Sequence, residues 1–449
     1  MQRHPKAIIW AITVLMTLIL VACGGGGEAA PETTAPLENQ QPAATEAVEA
    51  VMATLPPPVI SGEILPTPTL APVEGEVAEE AAPTEAPEVS GPFPADQFGY
   101  GIQIHGNATV GNPADTMTAV HDQLGMNWVK AQIQWWLVRP DPDPAVEQWF
   151  FYDAVIDEAH NKGLRLMVSV VGAPEWTRAA GGENGPPDDY NEYARFLGEL
   201  IDRHPGKIDA IEVWNEQNLD REWTSTNGIS PEDYVRFLQI AYDAIKAKDP
   251  NIIVISGALS PTGTGDWIKW ADDFEYLDRA LAAGMLNYAD CVGAHHNGYN
   301  IGPDVAYDQA GASPKAATAT FRGPFDNPHH SWSFYTTLNT YADKVQAVDP
   351  NKKLCVTEFG WASSEGYTEY PVGFEFALDN TLQDQATYIT QAFNQMNESN
   401  DVWLAFLFNF DFGNKGGGPT DDPTPYSIID TQGMPRPAFD ALAAMPKNP

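Results

Sequence analysis

Two glutamates, Glu216 and Glu358, are the side chains whose placement along the chain best fits a shared reaction. Glu216 follows the apolar stretch 211–214, and Glu358 ends the apolar stretch 354–358. Such stretches are typical of buried parallel strands, whose carboxyl ends meet at one open face when the sheet closes into a barrel. Two carboxyl groups on that face can cleave a glycosidic bond, because one protonates the leaving oxygen while the other attacks the sugar carbon. The spacing therefore predicts a catalytic pair of carboxylates.

The elements that would position this pair alternate regularly through residues 96–449. The predicted strands are residues 98–104, 127–133, 164–171, 208–214, 252–258, 290–295, 353–358 and 402–408, and the predicted helices are residues 113–124, 152–162, 188–204, 231–248, 266–283, 332–348, 382–398 and 437–445. Gly125, Gly163 and Gly284 stand where helices should end. Eight strand–helix pairs predict an α/β fold, a (β/α)8 TIM barrel. The alternative, a doubly wound open sheet, would need a Gly-rich phosphate loop after its first strand, which the sequence lacks.

The first residues of the chain form a targeting segment. Arg3 and Lys6 precede the apolar run 7–22, which is short for a membrane span of about 20 residues. The run ends at Cys23 in a pattern that resembles a bacterial lipobox, which implies cleavage before Cys23 and lipid on its sulfur. The alternatives are an uncleaved signal anchor and a secreted protein in which Cys23 is incidental. We expect residues 1–22 to be a signal peptide and the protein to be held on the cell surface, touching the membrane only through lipidated Cys23.

Residues 23–95 comprise this cysteine and a linker. Between residues 24 and 95 there are 12 glutamates, many prolines and no Lys or Arg. Such a segment cannot bury enough apolar surface to offset the entropy of ordering, so it is predicted to be a disordered tether.

The whole chain is strongly acidic, with a formal charge of −37 at pH 7. Taking away the 12 linker glutamates and the two basic residues of the signal segment still leaves −27 from residue 96 onward. This charge argues against a nucleic-acid partner and against direct docking on anionic lipid, and it is compatible with a neutral polysaccharide.

Segments 211–218 and 354–361 together resemble the clan A glycoside hydrolases (the 4/7 superfamily), and are most similar to families 5 and 39. Those enzymes carry an Asn-Glu pair at the end of strand four and a glutamate at the end of strand seven. Here the fourth predicted strand leads into Asn215 and Glu216, and the seventh ends in Glu358. The resemblance covers residues 96–449. It implies a retaining glycosidase that hydrolyses O-glycosyl bonds of β-linked oligo- or polysaccharides by double displacement, without a cofactor and as a monomer.

By this resemblance Glu216 is the acid/base and Glu358 the nucleophile. The acid must keep a proton near neutral pH and so needs a raised pKa, whereas the nucleophile must stay ionised and needs positive charge nearby. Asn215 would donate to the substrate hydroxyl beside the reacting carbon, which requires a bend at that strand end. Lys130 takes the place of the arginine that the family has near the nucleophile. Its alternative role is a structural ion pair with Glu212.

Further binding residues come from strand six and from the tryptophans. Residues 293–299 resemble the family's His-x-Tyr region, which makes His295 and Tyr299 candidates for hydrogen bonds to the nucleophile and the sugar, with His296 left open as the alternative to His295. Sugar rings stack on aromatic planes, so Trp176 and Trp361, each following a strand, are the expected subsite residues.

Neither a metal site nor a disulfide is expected. The pairs His295-His296 and His329-His330 have neither helical ligand spacing nor a cysteine partner, so no metal ligands are assigned. Cys291 and Cys355 lie in predicted neighbouring strands, but Cys355 has opposite parity to Glu358. Their side chains should therefore diverge as buried free thiols.

Two other functional classes stay open. One is a carbohydrate-binding surface lipoprotein that lacks catalysis, and the other is a transglycosylase. The long inserts 297–331 and 362–381 should shape the cleft, and with it the choice between chain ends and internal bonds.

Overall fold

The computed structural model describes residues 91–179 and 184–447, so the signal peptide, Cys23 and the linker up to residue 90 lie outside the described residues. Eight strands form one sheet: β1 Gly99–Gln103, β2 Trp128–Gln134, β3 Arg165–Val171, β4 Ala210–Val213, β5 Ile253–Ser256, β6 Val292–Gly298, β7 Leu354–Trp361 and β8 Val402–Leu407. All eight overlap the predicted strands. Their nearly continuous apolar runs reflect burial on both faces.

The sheet closes on itself. Each pairing is parallel, in the order β5-β4-β3-β2-β1-β8-β7-β6. Single bridges from Ile255 to Cys291 and from Leu259 to Ala294 join β5 to β6. The predicted (β/α)8 barrel is confirmed.

The helices surround the barrel: α1 Pro113–Thr118, α2 Trp135–Val138, α3 Asp153–Asn161, α4 Tyr190–Arg203, α5 Pro231–Lys248, α6 Asp273–Ala282, α7 Gly323–Asp326, α8 Phe334–Val348, α9 Glu375–Leu378, α10 Leu382–Ser399, α11 Phe412–Lys415 and α12 Pro437–Ala444. Within residues 91–179 and 184–447, no helix combines the length and apolarity needed to cross a bilayer.

Helix α6 begins seven residues later than predicted. The Asp266 carboxylate accepts hydrogen bonds from the backbone N–H of Ile268 and of Lys269, and Trp267 has a φ of 60°. These local bonds compete with helical ones and hold a turn. Asp272 then caps the helix by accepting from the N–H of Glu275.

A bulge in β7 changes which side chains enter the barrel. Ala294 pairs with Val356 but His295 pairs with Glu358, so Thr357 is an extra residue. The alternation of side chains breaks there, and both Thr357 and Glu358 contact residues inside the barrel.

The expectation that Cys291 and Cys355 are free thiols is wrong, because they form a disulfide in the barrel interior. The parity argument counted from Glu358 toward Cys355 across the bulge, so it assigned Cys355 to the outer face. Without the extra residue its side chain belongs to the inner face. Both cysteines pack in a fully buried cluster that includes Trp128 and Leu404.

The described fold begins before residue 96. Phe93 is buried in the same cluster, with its ring 5.4 Å from that of Trp128. The Trp403 indole donates to the carbonyl oxygen of Pro94 at 2.9 Å. Residues 93 and 94, assigned to the linker from composition, therefore pack against the amino-terminal end of the barrel.

Candidate active site

Lys130 is a fully buried cation inside the barrel. Its Nζ lies 3.0 Å from Glu358 Oε1 and 3.3 Å from Glu212 Oε2, and it donates to the carbonyl oxygen of Thr357 at 3.1 Å. Burial alone would lower the pKa of Lys130, but the charges of Glu212 and Glu358 outweigh it and raise that pKa. Lys130 therefore contacts both carboxylates between which the sequence left the choice open.

Glu358 owes its position to the bulge and to the residues around Lys130. The Thr357 hydroxyl donates to Glu212 Oε1 at 2.7 Å, which ties β7 to β4 directly beneath the site. Glu358 is 5% exposed, so a substrate can reach a carboxylate whose negative charge Lys130 compensates from below.

The chain bends sharply where β4 ends. Trp214 has a φ of 77° and Glu216 a φ of 42°, both uncommon for residues other than glycine. The Trp214 indole points away from the barrel interior and donates to the carbonyl oxygen of Glu222. The backbone N–H of Glu216 donates to the carbonyl oxygen of Ala258. The bend expected from the Asn-Glu pair is present, and it brings Glu216 to the barrel mouth.

Glu216 has two cationic neighbours. His295 Nδ1 lies 3.2 Å from Glu216 Oε1, and Arg221 donates through Nη2 to Oε2 at 3.0 Å. Burial raises the pKa of Glu216, but the hydrogen bond with His295 and the charge of Arg221 outweigh burial and lower it to about 2. The sequence-based expectation of a raised pKa is wrong, because it counted burial but not the hydrogen bond with His295 or the charge of Arg221.

His295 lies among three carboxylates. Besides Glu216, its Nε2 is 3.8 Å from Glu212 Oε1 and its Nδ1 is 4.0 Å from Glu358 Oε2. Burial lowers the pKa of His295, but the charge of Glu358 and the hydrogen bond to Glu216 outweigh burial. The pKa of His295 is therefore raised above its ordinary value. These two directions favour a proton on His295 over one on Glu216.

The shared contact with His295 limits the distance between the two glutamates. Glu216 Oε1 and Glu358 Oε2 lie 3.2 and 4.0 Å from the same nitrogen, so they are separated by at most the sum, about 7 Å. Retaining glycosidases hold their carboxyl groups about 5–5.5 Å apart and inverting ones about 6.5–9.5 Å apart. The bound on these two oxygens includes the retaining spacing.

Asn215 and Tyr299 also reach this region. The amide oxygen of Asn215 is buried without a hydrogen-bond partner, so a ligand hydroxyl could satisfy it. Burial and the charge of Glu216 raise the pKa of Tyr299, which keeps its hydroxyl protonated near neutral pH.

His296 faces away from the carboxylates. Its ring meets that of Phe334 edge-on at 5.8 Å, and burial lowers the pKa of His296 to about 4. The open choice between the two histidines is thus settled in favour of His295.

The two candidate tryptophans differ. Trp361 is fully buried, packs on Phe334, and donates to the carbonyl oxygen of Ile301 at 2.9 Å. The expectation that it stacks on sugar is wrong, because β7 continues past Glu358 and alternation turns Trp361 toward the helices. Trp176 follows β3, is partly exposed and donates to the carbonyl oxygen of Arg139.

Sequence reasoning missed Arg221. This residue lies five positions after Glu216, in a turn closed by a hydrogen bond from Leu219 N–H to the carbonyl oxygen of Glu216. A basic residue one turn beyond the Asn-Glu pair was the available signal for Arg221.

Comparisons of sequence find no relative: no family model matches the chain, and neither does any curated protein. Solved structures do match. A family 39 glycoside hydrolase from the gut symbiont Bacteroides cellulosilyticus has a TM-score of 0.55 and 17% identity over 78% of this chain, which spans 64% of that protein's length.

Two further solved structures are similar. A monomeric β-xylosidase from Caulobacter crescentus has a TM-score of 0.52 and 16% identity, covering 79% of this chain and 68% of its own. The β-glycosidase BGL167 has a TM-score of 0.50 and 14% identity, covering 78% of this chain and 96% of its own. At such identities the likeness shows only that this chain shares their barrel fold.

Proposed function

We propose that the protein is a retaining glycoside hydrolase acting on β-linked oligo- or polysaccharides. One observation carries the proposal: Glu216 at the end of β4 and Glu358 in β7 both contact His295, at 3.2 and 4.0 Å, in the mouth of the barrel. The similarity in fold to glycoside hydrolases supports it.

In this reaction Glu358 attacks the anomeric carbon while Glu216 protonates the leaving oxygen, which gives a glycosyl-enzyme. Water then attacks the same carbon, Glu216 takes its proton, and Glu358 leaves. Lys130, 3.0 Å from Glu358 Oε1, offsets the negative charge of this carboxylate before it attacks and after it leaves. Asn215 is the donor for the sugar hydroxyl next to the reacting carbon.

Glu216 needs a proton for the first step, and His295 is its source. A proton moves from Nδ1 of His295 to Oε1 of Glu216 across their 3.2 Å contact when the substrate binds. The proton that Glu216 takes from water in the second step returns to His295, so the cycle is balanced.

The cellular setting is part of the proposal. A lipid on Cys23 would hold the enzyme at the cell surface, and the acidic linker would give it reach. The Cys291–Cys355 disulfide supports an oxidising compartment outside the cytoplasm. We also propose a monomer acting on glycans without a cofactor.

The test is chemical rescue. Glu358→Ala should abolish release of the aryl group from activated aryl β-glycosides, and azide should restore part of it as a glycosyl azide, because the small anion fits the space of the lost carboxylate. Glu369→Ala, an exposed glutamate of the insert after β7, is the matched control and should keep wild-type turnover.

Other outcomes would redirect the proposal. If the wild-type protein binds glycans in a panel but releases no reducing sugar, it is a binding protein. NMR of the first-formed anomer must show retained configuration, and inversion would refute the double displacement. Products extended by added acceptor sugars would identify a transglycosylase.

A further inference from the structure

Two surface segments that are distant in sequence bring two imidazoles and a carboxylate together. Asp272 stands at the start of α6, and His329 and His330 lie in the connection between β6 and α8. One potential ligand atom from each lies within 4.8 Å of those from the other two. Adjacent histidines gave no ligand spacing in the sequence, because the third group comes from another loop.

His330 is held as a metal ligand usually is. Its Nε2 lies 2.9 Å from Asp273 Oδ1, and that oxygen also accepts from Thr262 N–H at 3.0 Å. The other oxygen of Asp273 accepts from the Tyr341 hydroxyl at 2.7 Å, and Asp273 is fully buried. A carboxylate on one ring nitrogen fixes the tautomer and directs the opposite nitrogen, here Nδ1, toward a cation.

The other two residues each have one atom held by a neighbouring group. Nδ1 of His329 accepts from the Ser331 N–H at 3.3 Å and lies 3.1 Å from the Ser331 hydroxyl, so the neutral ring carries its proton on Nε2. Binding of an ion at Nε2 requires this proton to move to Nδ1 and the contact with the Ser331 N–H to open. Asp272 Oδ1 caps α6 by accepting from the N–H of Glu275 at 2.9 Å, which leaves Oδ2. Asp272 and His330 thus each have one atom fixed by the protein and one available, whereas His329 has to change its tautomer to bind an ion.

We propose that Asp272, His329 and His330 bind one divalent transition-metal ion of the zinc type. Two imidazoles and one carboxylate suit such ions, with water completing the coordination, whereas calcium and magnesium prefer oxygen ligands. The charges of Asp272 and Asp273 together balance that of the ion. Bound there, the ion would join the start of α6 to the segment that leads into α8, next to β6.

The experiment is a calorimetric titration of the full chain, free of any affinity tag, with zinc ion alone. We expect one saturable site. Asp272→Asn, whose side chain can still cap the helix, and His329→Asn should each weaken zinc affinity by at least about tenfold. His121→Asn, which removes an exposed histidine beside Asp122, is the matched control and should leave the affinity unchanged.

Folding and ligation are checked separately. Circular dichroism and the unfolding temperature without metal establish that each variant is folded. Cobalt(II) should give visible d–d bands with the wild-type protein that disappear in His329→Asn. The proposal is overturned if zinc has no saturable site, or if both variants bind zinc as the wild-type protein does. Neither readout depends on glycosidase activity.

Discussion

His295 Nδ1 and Glu216 Oε1 lie 3.2 Å apart, with the pKa of the imidazole raised and that of the carboxyl lowered. The two directions favour a proton on the histidine over one on the carboxyl. Arg221 takes part in this distribution, because it donates to the other oxygen of Glu216 at 3.0 Å. Removing Arg221 should move the proton.

The first prediction concerns Arg221→Met. Arg221 helps to lower the pKa of Glu216 from its ordinary 4.5 to about 2, so the variant should have a higher pKa at Glu216. Protonation of the leaving oxygen needs the proton that Glu216 receives from His295, and activity falls as pH rises and this pair loses that proton. The alkaline limb of kcat/KM should therefore shift to higher pH in Arg221→Met. The measurement is a pH–rate profile on an aryl β-glycoside.

The control for this profile is Arg195→Met, which removes an exposed i,i+3 partner of Glu192 on α4. Its profile should superimpose on that of the wild-type protein. An unchanged alkaline limb in Arg221→Met would mean that Arg221 does not influence the acid during turnover.

The second prediction concerns Lys130→Met. The substitution leaves Glu212 and Glu358 buried without their shared cation, and breaking a buried pair in this way costs about 3–5 kcal/mol of the free energy of unfolding. Adding Glu212→Gln should recover part of the loss, because one uncompensated charge is then gone. Urea denaturation measures both.

Lys353→Met is the comparison for this series. Its ammonium binds the exposed Asn400 side-chain oxygen, so the free energy of unfolding should hardly change. Equal stability of Lys130→Met and the wild-type protein would show that the glutamates find other compensation.

The third prediction concerns the disulfide. Cys291 and Cys355 are separated by 64 positions, and the chain-entropy model gives a loop of this length about 4 kcal/mol of stabilisation. Replacing both cysteines by Ala should lower the free energy of unfolding in guanidinium by an amount of that order. With reductant present throughout unfolding, the wild-type protein should lose a similar amount and the double variant nothing more.

The barrel was predictable because its signals are local and repeated. Each strand is an apolar run that can be recognised on its own. Single residues mark helix boundaries in the same way: Pro231 begins α5, and Gly284 follows the end of α6. The bulge at Thr357 was not predictable, since it is a property of how β7 pairs with β6. That one extra residue reversed the expected direction of Cys355, and with it the conclusion about the disulfide.

The site residues at strand ends could be predicted from sequence motifs, whereas those that loops bring together could not. Glu216, Glu358 and Lys130 come together as their strand ends suggested. The lowered pKa of Glu216 depends on Arg221, a loop residue whose direction no periodicity determines. Asp272 lies close to His329 because two loops that are distant in sequence come together in the fold. The spacing of residues within one segment cannot predict such a contact.

The last prediction concerns the chain before the barrel. A protein that begins at Gly91 should fold and keep full activity on soluble substrate, because it retains Phe93 against Trp128 and Pro94 against Trp403. It should not associate with membranes, and full-length Cys23→Ala should likewise be released. A protein that begins at Asp96 should be less stable by about 3–5 kcal/mol, the usual cost of losing a buried Phe side chain. Guanidinium midpoints of the two truncated proteins measure this difference. Equal midpoints would show that residues 91–95 contribute nothing, and an insoluble protein from Gly91 would show that the linker belongs to the fold.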